Sequence, residues 1–405
     1  MSRVLLVLPS SSYRADDFLD AARRLRAKVV IASDHRSTLA SMMGDGMLRL
    51  DLQSPSSAAA RIVELAARAP LDAVVAVDEQ GVLVAAEAAS RLGLPHNPVE
   101  AVRATRDKAK MRRLLADAGV RQPGFALARY RDDVARVALR VGLPCVVKPT
   151  GLSGSRGVMR ADSAVEAAGL ARRARAVLAD AGENRRGPLL VERFVPGAEV
   201  AVEGLVEDGL LRVLAIFDKP DPLNGPYFEE TLYVAPARLS PAARAEIEAT
   251  TAAAAAAIGL RDGPVHAELR IRDDRAWVIE VAARSIGGLC SRALRFGLGT
   301  TLEEVILRHA LGREQLALER EGAAAGVMML PIPRSGILRR VEGVDHARGV
   351  PGIEGVEITL PAGRAVRALP EGDRYLGFAF ARGTDPDEVE AALRKANAAL
   401  KVIIE

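Results

Sequence analysis

Two glutamates that face each other across a predicted β-hairpin are the residues best placed to do chemistry. The hairpin covers residues 263–282, and if its turn centres on Asp274, Glu268 lies directly opposite Glu280, with the Cβ atoms about 5 Å apart. Two opposed carboxylates repel each other unless a divalent cation lies between them, and oxygen ligands of this kind suit Mg²⁺. The alternative is that one of them pairs with Arg270 or Arg284 as ordinary surface electrostatics.

A lysine at the end of an apolar strand gives a second indication. Burying the Lys148 ammonium is costly unless an anion meets it, and the chain continues into residues 149–157, which hold three glycines, two serines and an arginine. Freed backbone amides, small hydroxyls and cations suit a phosphate group, although this is not a Walker A loop. Lys108 lies in the first turn of a predicted helix, where the dipole disfavours a cation, so an anionic ligand would explain it. A simple turn and a solvated lysine are the alternatives.

The chain that leaves the hairpin offers groups for a substrate carboxylate. Arg284 comes four residues after Glu280, and Gly287 and Gly288 free the backbone beyond it. A guanidinium followed by such a backbone suits a carboxylate or an acyl-phosphate. A turn with a salt bridge is the alternative.

Two further places are candidates for substrate contact. His266 shares the strand face of Glu268, and because imidazole is a poor Mg²⁺ ligand it has either a substrate role or a place in the core. Residues 217–230 are punctuated by proline and glycine and carry four acids, which suits a substrate loop in which Asp218 or Glu230 receives an amino group. A surface connection between two strands is the alternative.

The elements that must position these groups alternate strand and helix through the first hundred residues. This rhythm predicts a parallel sheet covered by helices on both faces. Its first turn, residues 9–12, lacks the G-x-G-x-x-G pattern, so a nicotinamide dinucleotide is not expected there. Prolines and a glycine in residues 93–98 mark a domain boundary near residue 100.

Composition narrows the function classes. The chain has 405 residues, of which 49% are hydrophobic and 27% charged, so we expect a compact globular protein. Aromatic residues make up only 3%, which argues against a stacking surface for single-stranded nucleic acid, and the formal charge of +4 is scattered along the chain. Cys145 and Cys290 are too few for a disulfide framework or a cysteine zinc site. We therefore predict a cytoplasmic protein with no nucleic-acid or membrane partner.

As an ordered set, these segments resemble the ATP-grasp superfamily over residues 100–312. Within it, the spacing of Glu280, Arg284, Gly287 and Gly288 is most similar to the L-amino acid ligase and carboxylate-amine ligase branch. The segments that carry the resemblance are Asp107-Lys108, residues 146–149, 153–157 and 190–199, Glu268, and residues 280–284. The fold class implied is α/β and α+β: an N-terminal parallel-sheet α/β domain over residues 1–100, a two-lobed ATP-grasp domain over 101–312, and a small C-terminal α+β domain over 313–405.

The resemblance also implies a role for each matching residue. Arg284 and Lys148 would be catalytic, the first by holding the carboxylate and stabilising its acyl-phosphate. The implied ligands are Lys108 and Lys148 for the α- and β-phosphates, Ser153, Gly154 and Ser155 in a lid over the triphosphate, Glu192 with the backbone of Arg193 and Val195 for adenine, Glu199 for ribose, Glu268 and Glu280 for magnesium, and Arg284, Gly287 and Gly288 for substrate.

The activity implied is an ATP- and Mg²⁺-dependent ligase for a small-molecule carboxylate and an amine. Transfer of the γ-phosphoryl group turns the carboxylate into a mixed anhydride, which the amine attacks to give an amide or peptide, ADP and phosphate. The family usually has asparagine two residues after the second metal glutamate, where this chain has Ala282, so the number of magnesium ions stays open. A homodimer is compatible with the resemblance. The alternatives are a bicarbonate- or purine-pathway-type ATP-grasp carboxylase and a non-catalytic nucleotide-binding protein.

Overall fold

The N-terminal part folds as the predicted α/β unit. The structure, a computed structural model, describes residues 1–35, 46–297, 299–315 and 318–405. Four parallel strands lie in the order β3-β2-β1-β4. Alternate residues of the first strand enter two different cores, as expected for a sheet covered on both faces. The elements are β1 (Arg3–Val7), α1 (Ala15–Arg24), β2 (Lys28–Ser33), β3 (Met47–Arg49), α2 (Pro55–Arg68), β4 (Ala73–Ala76) and α3 (Val82–Leu92).

A small antiparallel sheet follows. Its four strands lie in the order β5-β8-β6-β7 and pack against two helices around an apolar core. The helix that carries Lys108 begins where expected, because the Asp107 carboxylate caps it by accepting hydrogen bonds from the backbone N–H groups of residues 109 and 110. The elements are α4 (Val99–Thr105), α5 (Lys108–Asp117), β5 (Phe125–Ala128), α6 (Val134–Val141), β6 (Cys145–Pro149), β7 (Met159–Ala161), α7 (Ala164–Asp180) and β8 (Leu189–Arg193).

A sheet of eight strands forms the centre of the molecule. Its order is β13-β12-β9-β10-β11-β14-β18-β16, so three strands from beyond residue 312 extend it, while β15, β17 and β19 form a separate small sheet. The predicted boundary at residue 312 stays a prediction. The elements are β9 (Ala198–Glu207), β10 (Leu210–Lys219), β11 (Leu232–Ala235), α8 (Pro241–Ile258), β12 (Gly263–Arg272), β13 (Arg275–Ala282), α9 (Leu302–Ala310), β14 (Ala324–Leu330), β15 (Gly336–Glu342), α10 (Val344–Arg348), β16 (Ile353–Ile358), β17 (Ala365–Val366), β18 (Gly377–Gly383), α11 (Pro386–Ala398) and β19 (Lys401–Ile404).

The N-terminal unit and the central sheet share one hydrophobic core. Phe18 of α1 belongs to the same buried cluster as Phe217 of β10, Ile286 and Phe378 of β18. This shared core holds the N-terminal unit against the chain that leaves β13. Across the described part of the chain, every helix is too short or too polar to cross a bilayer.

Candidate active site

The two glutamates of the hairpin are opposed as predicted, but a bulge is what opposes them. Arg272 pairs with Arg275 across a two-residue turn, and this register would set Glu268 against Ile279. A register shift next to Glu268 inserts one extra residue in β13 and brings Glu280 opposite it. Both side chains line the same two cavities.

Each of these glutamates also has a cationic neighbour. Lys108 Nζ donates a hydrogen bond of 3.0 Å to Glu280 Oε1, and it donates a second one to the backbone carbonyl of Leu152. Glu268 Oε1 lies 3.9 Å from Lys219 Nζ. Lysine ammonium groups thus lie beside both members of the pair, and His266 Nε2 also lies 3.5 Å from Glu268 Oε1.

Lys219, which the sequence analysis missed, is the centre of a buried carboxylate cluster. Its Nζ lies 2.5 Å from Glu199 Oε1 and 2.6 Å from Glu230 Oε1, and these carboxylates raise the pKa of Lys219 although burial alone lowers it. Carboxylate oxygens of Glu199, Glu230 and Glu268 lie within 4.8 Å of one another. Burial raises the pKa of Glu230, and the Glu268 charge raises it further. A lysine at the end of an apolar strand was the sequence signal for Lys219.

The structure places Asp218 outside both cavities. Successive strand residues point to opposite faces, so Lys219 reaches the buried carboxylates of Glu199 and Glu230, and its neighbour Asp218 turns away from them. The Asp218 carboxylate accepts hydrogen bonds from the backbone N–H and the Nε of Arg238, at 2.9 Å and 2.7 Å. Of the two residues predicted to receive an amino group, only Glu230 lines the cavities.

A cavity lies between the β5-β8-β6-β7 sheet and the hairpin, where the nucleotide was predicted. One of its walls holds a buried ion network. Lys148 Nζ lies 2.7 Å from Glu192 Oε2, and Arg112 Nε donates to Glu192 Oε1 at 2.5 Å. Burial alone would raise the pKa of Glu192, but the charges of Arg112 and Lys148 lower it to about 2. Lys148 thus has its anion already, and Arg112 is a second group that the sequence analysis missed.

The remaining walls of this cavity suit a nucleoside. Arg193 donates its backbone N–H to Gly124, so that group is not free for a base, whereas the N–H of Val195 has no partner among the described residues. Apolar side chains form much of the cavity wall. Glu199, the residue predicted to bind the ribose, accepts a hydrogen bond of 2.9 Å from Arg270. The apolar residues that line the cavity are Val146, Leu152, Val158, Phe194, Leu223, Phe228 and Ile279.

The glycine-containing segment 149–157, here called the glycine loop, lies where the two cavities meet. Ser153 and Ser155 line both of them, and Gly154 lines the second. The C-terminal part of the chain holds the loop in place, because Gly157 donates its backbone N–H to Pro370 O at 2.9 Å. The loop therefore closes over the place where the two cavities meet.

A second cavity opens beside the hairpin. The N-terminal unit, the central sheet and the C-terminal part all contribute to it. Arg284, Gly287 and Gly288 line it together, as predicted for a substrate carboxylate. Arg284 Nε donates a hydrogen bond of 2.7 Å to Glu79, a residue of the N-terminal unit that the sequence analysis missed.

His266 also lines the second cavity but is held by a buried glutamate. Its Nδ1 lies 2.5 Å from Glu203 Oε1, and its Nε2 lies 3.5 Å from Glu268 Oε1. Burial lowers the pKa of His266, but the Glu203 carboxylate raises it to about 9. Glu203 was not predicted from the sequence. The signal that could have identified it is a charged residue within the otherwise apolar strand β9.

The donor set of the hairpin suits a hard divalent cation. Glu268 and Glu280 offer carboxylate oxygens, Ala282 offers no ligand atom, and the two thiols of the chain are buried and free. Oxygen-only donors favour Mg²⁺ over softer metals. The residues present therefore fit the predicted magnesium site.

Three protein-family models match the chain in sequence order. They are an ATP-grasp N-terminal domain over residues 19–96, an ATP-grasp domain over residues 141–293, and an L-amino acid ligase C-terminal domain 2 over residues 328–405. The matches lie in the N-terminal unit, in the two sheets that line the first cavity, and in the C-terminal part.

Individual proteins are similar to this chain in sequence or in structure. An uncharacterized protein y4rH of Sinorhizobium fredii is 24% identical over 98% of this chain and 82% of its own length. The alanine–anticapsin ligase of Bacillus subtilis is 27% identical over 61% of this chain, and the match spans about half of that enzyme, 55% of its length. The crystal structure of an L-amino acid ligase from Bacillus licheniformis superposes with a TM-score of 0.83 at 25% identity, covering 100% of this chain and 99% of that one.

Proposed function

Because the chain belongs to the ATP-grasp superfamily of enzymes and is similar to its L-amino acid ligases, we propose that it joins a small carboxylate to an amine with ATP and Mg²⁺. ADP and phosphate are the other products. The alanine–anticapsin ligase and the L-amino acid ligase among its relatives support formation of a C–N bond.

One observation carries the proposal. The nucleotide cavity and the second cavity share Ser153, Ser155, Glu230, Glu268 and Glu280. A triphosphate that lies in the first cavity under the glycine loop thus ends where a molecule in the second cavity begins. Phosphoryl transfer needs this adjacency of donor and acceptor.

The chemistry follows from the basicity of the carboxylate oxygen, which makes it a poor leaving group. A carboxylate oxygen attacks the γ-phosphorus, the bond to the β–γ bridging oxygen breaks, and ADP leaves. The amine then attacks the acyl carbon, the bond from carbon to the phosphate oxygen breaks, and the amine nitrogen loses a proton. When bound at Glu268 and Glu280, Mg²⁺ would neutralise phosphate charge.

The chain's own residues supply positioning and positive charge. Lys108 and Lys148 would bind the phosphates, and Arg284 would hold the carboxylate and stabilise its acyl-phosphate. Glu79 accepts a hydrogen bond from Arg284 Nε, and both residues line the second cavity. Glu230 would receive an amino group of the substrate, with His266, Gly287 and Gly288 as further contacts, since all of these line the cavity.

The proposal is tested by a screen for ADP release over pairs of amino acids, with and without bicarbonate, followed by mass analysis of the product. We expect ADP only when a carboxylate and an amine are both present, together with a product heavier than either. ADP release that requires bicarbonate would identify a carboxylase instead. Nucleotide binding without ADP release from any mixture would identify a non-catalytic protein.

A further inference from the structure

Arg14 is a fully buried arginine that joins the N-terminal unit to distant parts of the chain. It immediately precedes α1 in the N-terminal unit, and its relative exposure is 0%. Nη1 donates hydrogen bonds to Ser285 Oγ at 2.8 Å and to Ile286 O at 2.9 Å. Nη2 donates to Glu303 Oε1 at 2.7 Å, which supplies the counter-charge. Burying a guanidinium is costly, and these bonds offset part of that cost, although Arg14 Nε has no hydrogen-bond partner in the described part of the chain.

The peptide groups of Ile286 are held by charged side chains from two sides. Its backbone N–H donates to Glu203 Oε2 at 3.0 Å, and its carbonyl accepts from Arg14. Hydrogen bonds to ionised groups are about twice as strong as neutral ones. Ile286 lies between Arg284 and Gly287, so this double contact fixes the main chain of the carboxylate site.

Arg14 also contacts the chain segment that leads to Glu79, the ion-pair partner of Arg284. Its Nη1 lies 3.5 Å from the carbonyl of Val77, at the end of β4. Two residues later comes Glu79, the partner of Arg284. One guanidinium therefore touches both chain segments whose side chains meet at the candidate carboxylate site.

From these contacts we infer that Arg14 is a positioning residue for the carboxylate site, which it holds by fixing residues 284–288 against the N-terminal unit. The inference rests on the proposed function of Arg284. Arg14 touches neither of the two cavities and acts only through the main chain that it holds. A purely structural ion pair with Glu303 is the competing explanation.

The Arg14→Lys variant separates the two explanations. Lysine keeps the charge opposite Glu303, but a single ammonium cannot reproduce the planar fork that reaches Ser285, Ile286 and Glu303 together. We expect the KM of the carboxylate substrate to rise about tenfold or kcat/KM to fall by a similar factor, while the KM of ATP changes less than about twofold. Hydrogen exchange at the Ile286 amide should become faster.

Arg292→Lys is the matched control. Arg292 also joins separate parts of the chain, through Asp17 of α1 and Glu357 of β16, but it makes no bond to residues 284–288. This variant should leave the carboxylate KM and the exchange of the Ile286 amide unchanged. If both variants slow the reaction equally, Arg14 has no special role.

Three results would overturn the inference. One is unchanged exchange at Ile286 in Arg14→Lys, and another is an equal rise in the KM of ATP and carboxylate. If Arg14→Lys does not fold, Ser285→Ala removes one of the same bonds without disturbing a charge, and an unchanged carboxylate KM there also refutes the idea. If no mixture of acid and amine yields ADP, the proposed function fails, whereas hydrogen exchange still decides what Arg14 does.

Discussion

Replacing Glu280 by glutamine tests the metal assignment because it removes a charge and hardly alters the shape. The side chain is 30% exposed and forms one ion pair, with Lys108. Lys108 is buried, but it keeps its hydrogen bond to the Leu152 carbonyl and can still donate to the glutamine oxygen, so exchanging a charged acceptor for a neutral one should cost the folded state about 1–1.5 kcal/mol. Loss of an electrostatic contact to the transition state lowers kcat by about 10²–10³-fold, or roughly 3–4 kcal/mol. The loss of activity should therefore far exceed the loss of stability.

The assay is ADP release as a function of Mg²⁺ concentration, with thermal unfolding measured in parallel. Glu246→Gln is the matched control, because Glu246 is 27% exposed, also pairs with one cation, Arg121, and lies outside both cavities. We expect Glu280→Gln to need more Mg²⁺ and to turn over at least about a hundredfold more slowly, and Glu246→Gln to match the natural chain. Equal Mg²⁺ dependence in all three proteins would refute the metal assignment.

Two further predictions concern buried groups. The pKa of Glu192 is about 2 in the folded protein, against an ordinary value of 4.5, so its ionised form stabilises the fold by about 3 kcal/mol. This stabilisation is complete above pH 4.5 and is lost as the pH falls toward 2. The free energy of unfolding in urea should therefore be smaller at pH 3 than at pH 6, and equal values would contradict the prediction. Burial raises the pKa of the Cys145 thiol to about 11 and also raises that of Cys290. A thiol reagent at pH 8 should therefore modify neither cysteine in the native protein and both in denaturant. Rapid modification of the native protein would show that the thiols are not buried.

Features that depend on neighbouring residues could be predicted from the sequence. The hairpin, the helix capped by Asp107 and the α/β rhythm follow from local periodicity, and the structure confirms them. The prediction that Glu268 lies opposite Glu280 is confirmed, but the reasoning behind it was incomplete. The alternation predicts it only with a turn centred on one residue, whereas the chain uses a two-residue turn and a bulge.

Contacts between distant segments could not be predicted. Arg14 and Ser285 are 271 residues apart, and Arg112 and Glu192 are 80 apart, so no local pattern connects them. The placement of Asp218 outside both cavities could not be predicted either, because the phase of a strand decides which of two adjacent charged residues faces the buried carboxylate cluster, and composition does not reveal that phase.

Activation of the carboxylate by phosphorylation is the central claim, and isotope transfer tests it most directly. An acid labelled with ¹⁸O in both carboxylate oxygens is supplied with ATP, Mg²⁺ and the amine found in the screen, and the released phosphate is weighed by mass spectrometry. The mechanism requires one labelled oxygen in each phosphate, carried there from the acid through the acyl-phosphate. Unlabelled phosphate released in step with amide formation would show that the acid never receives the γ-phosphoryl group.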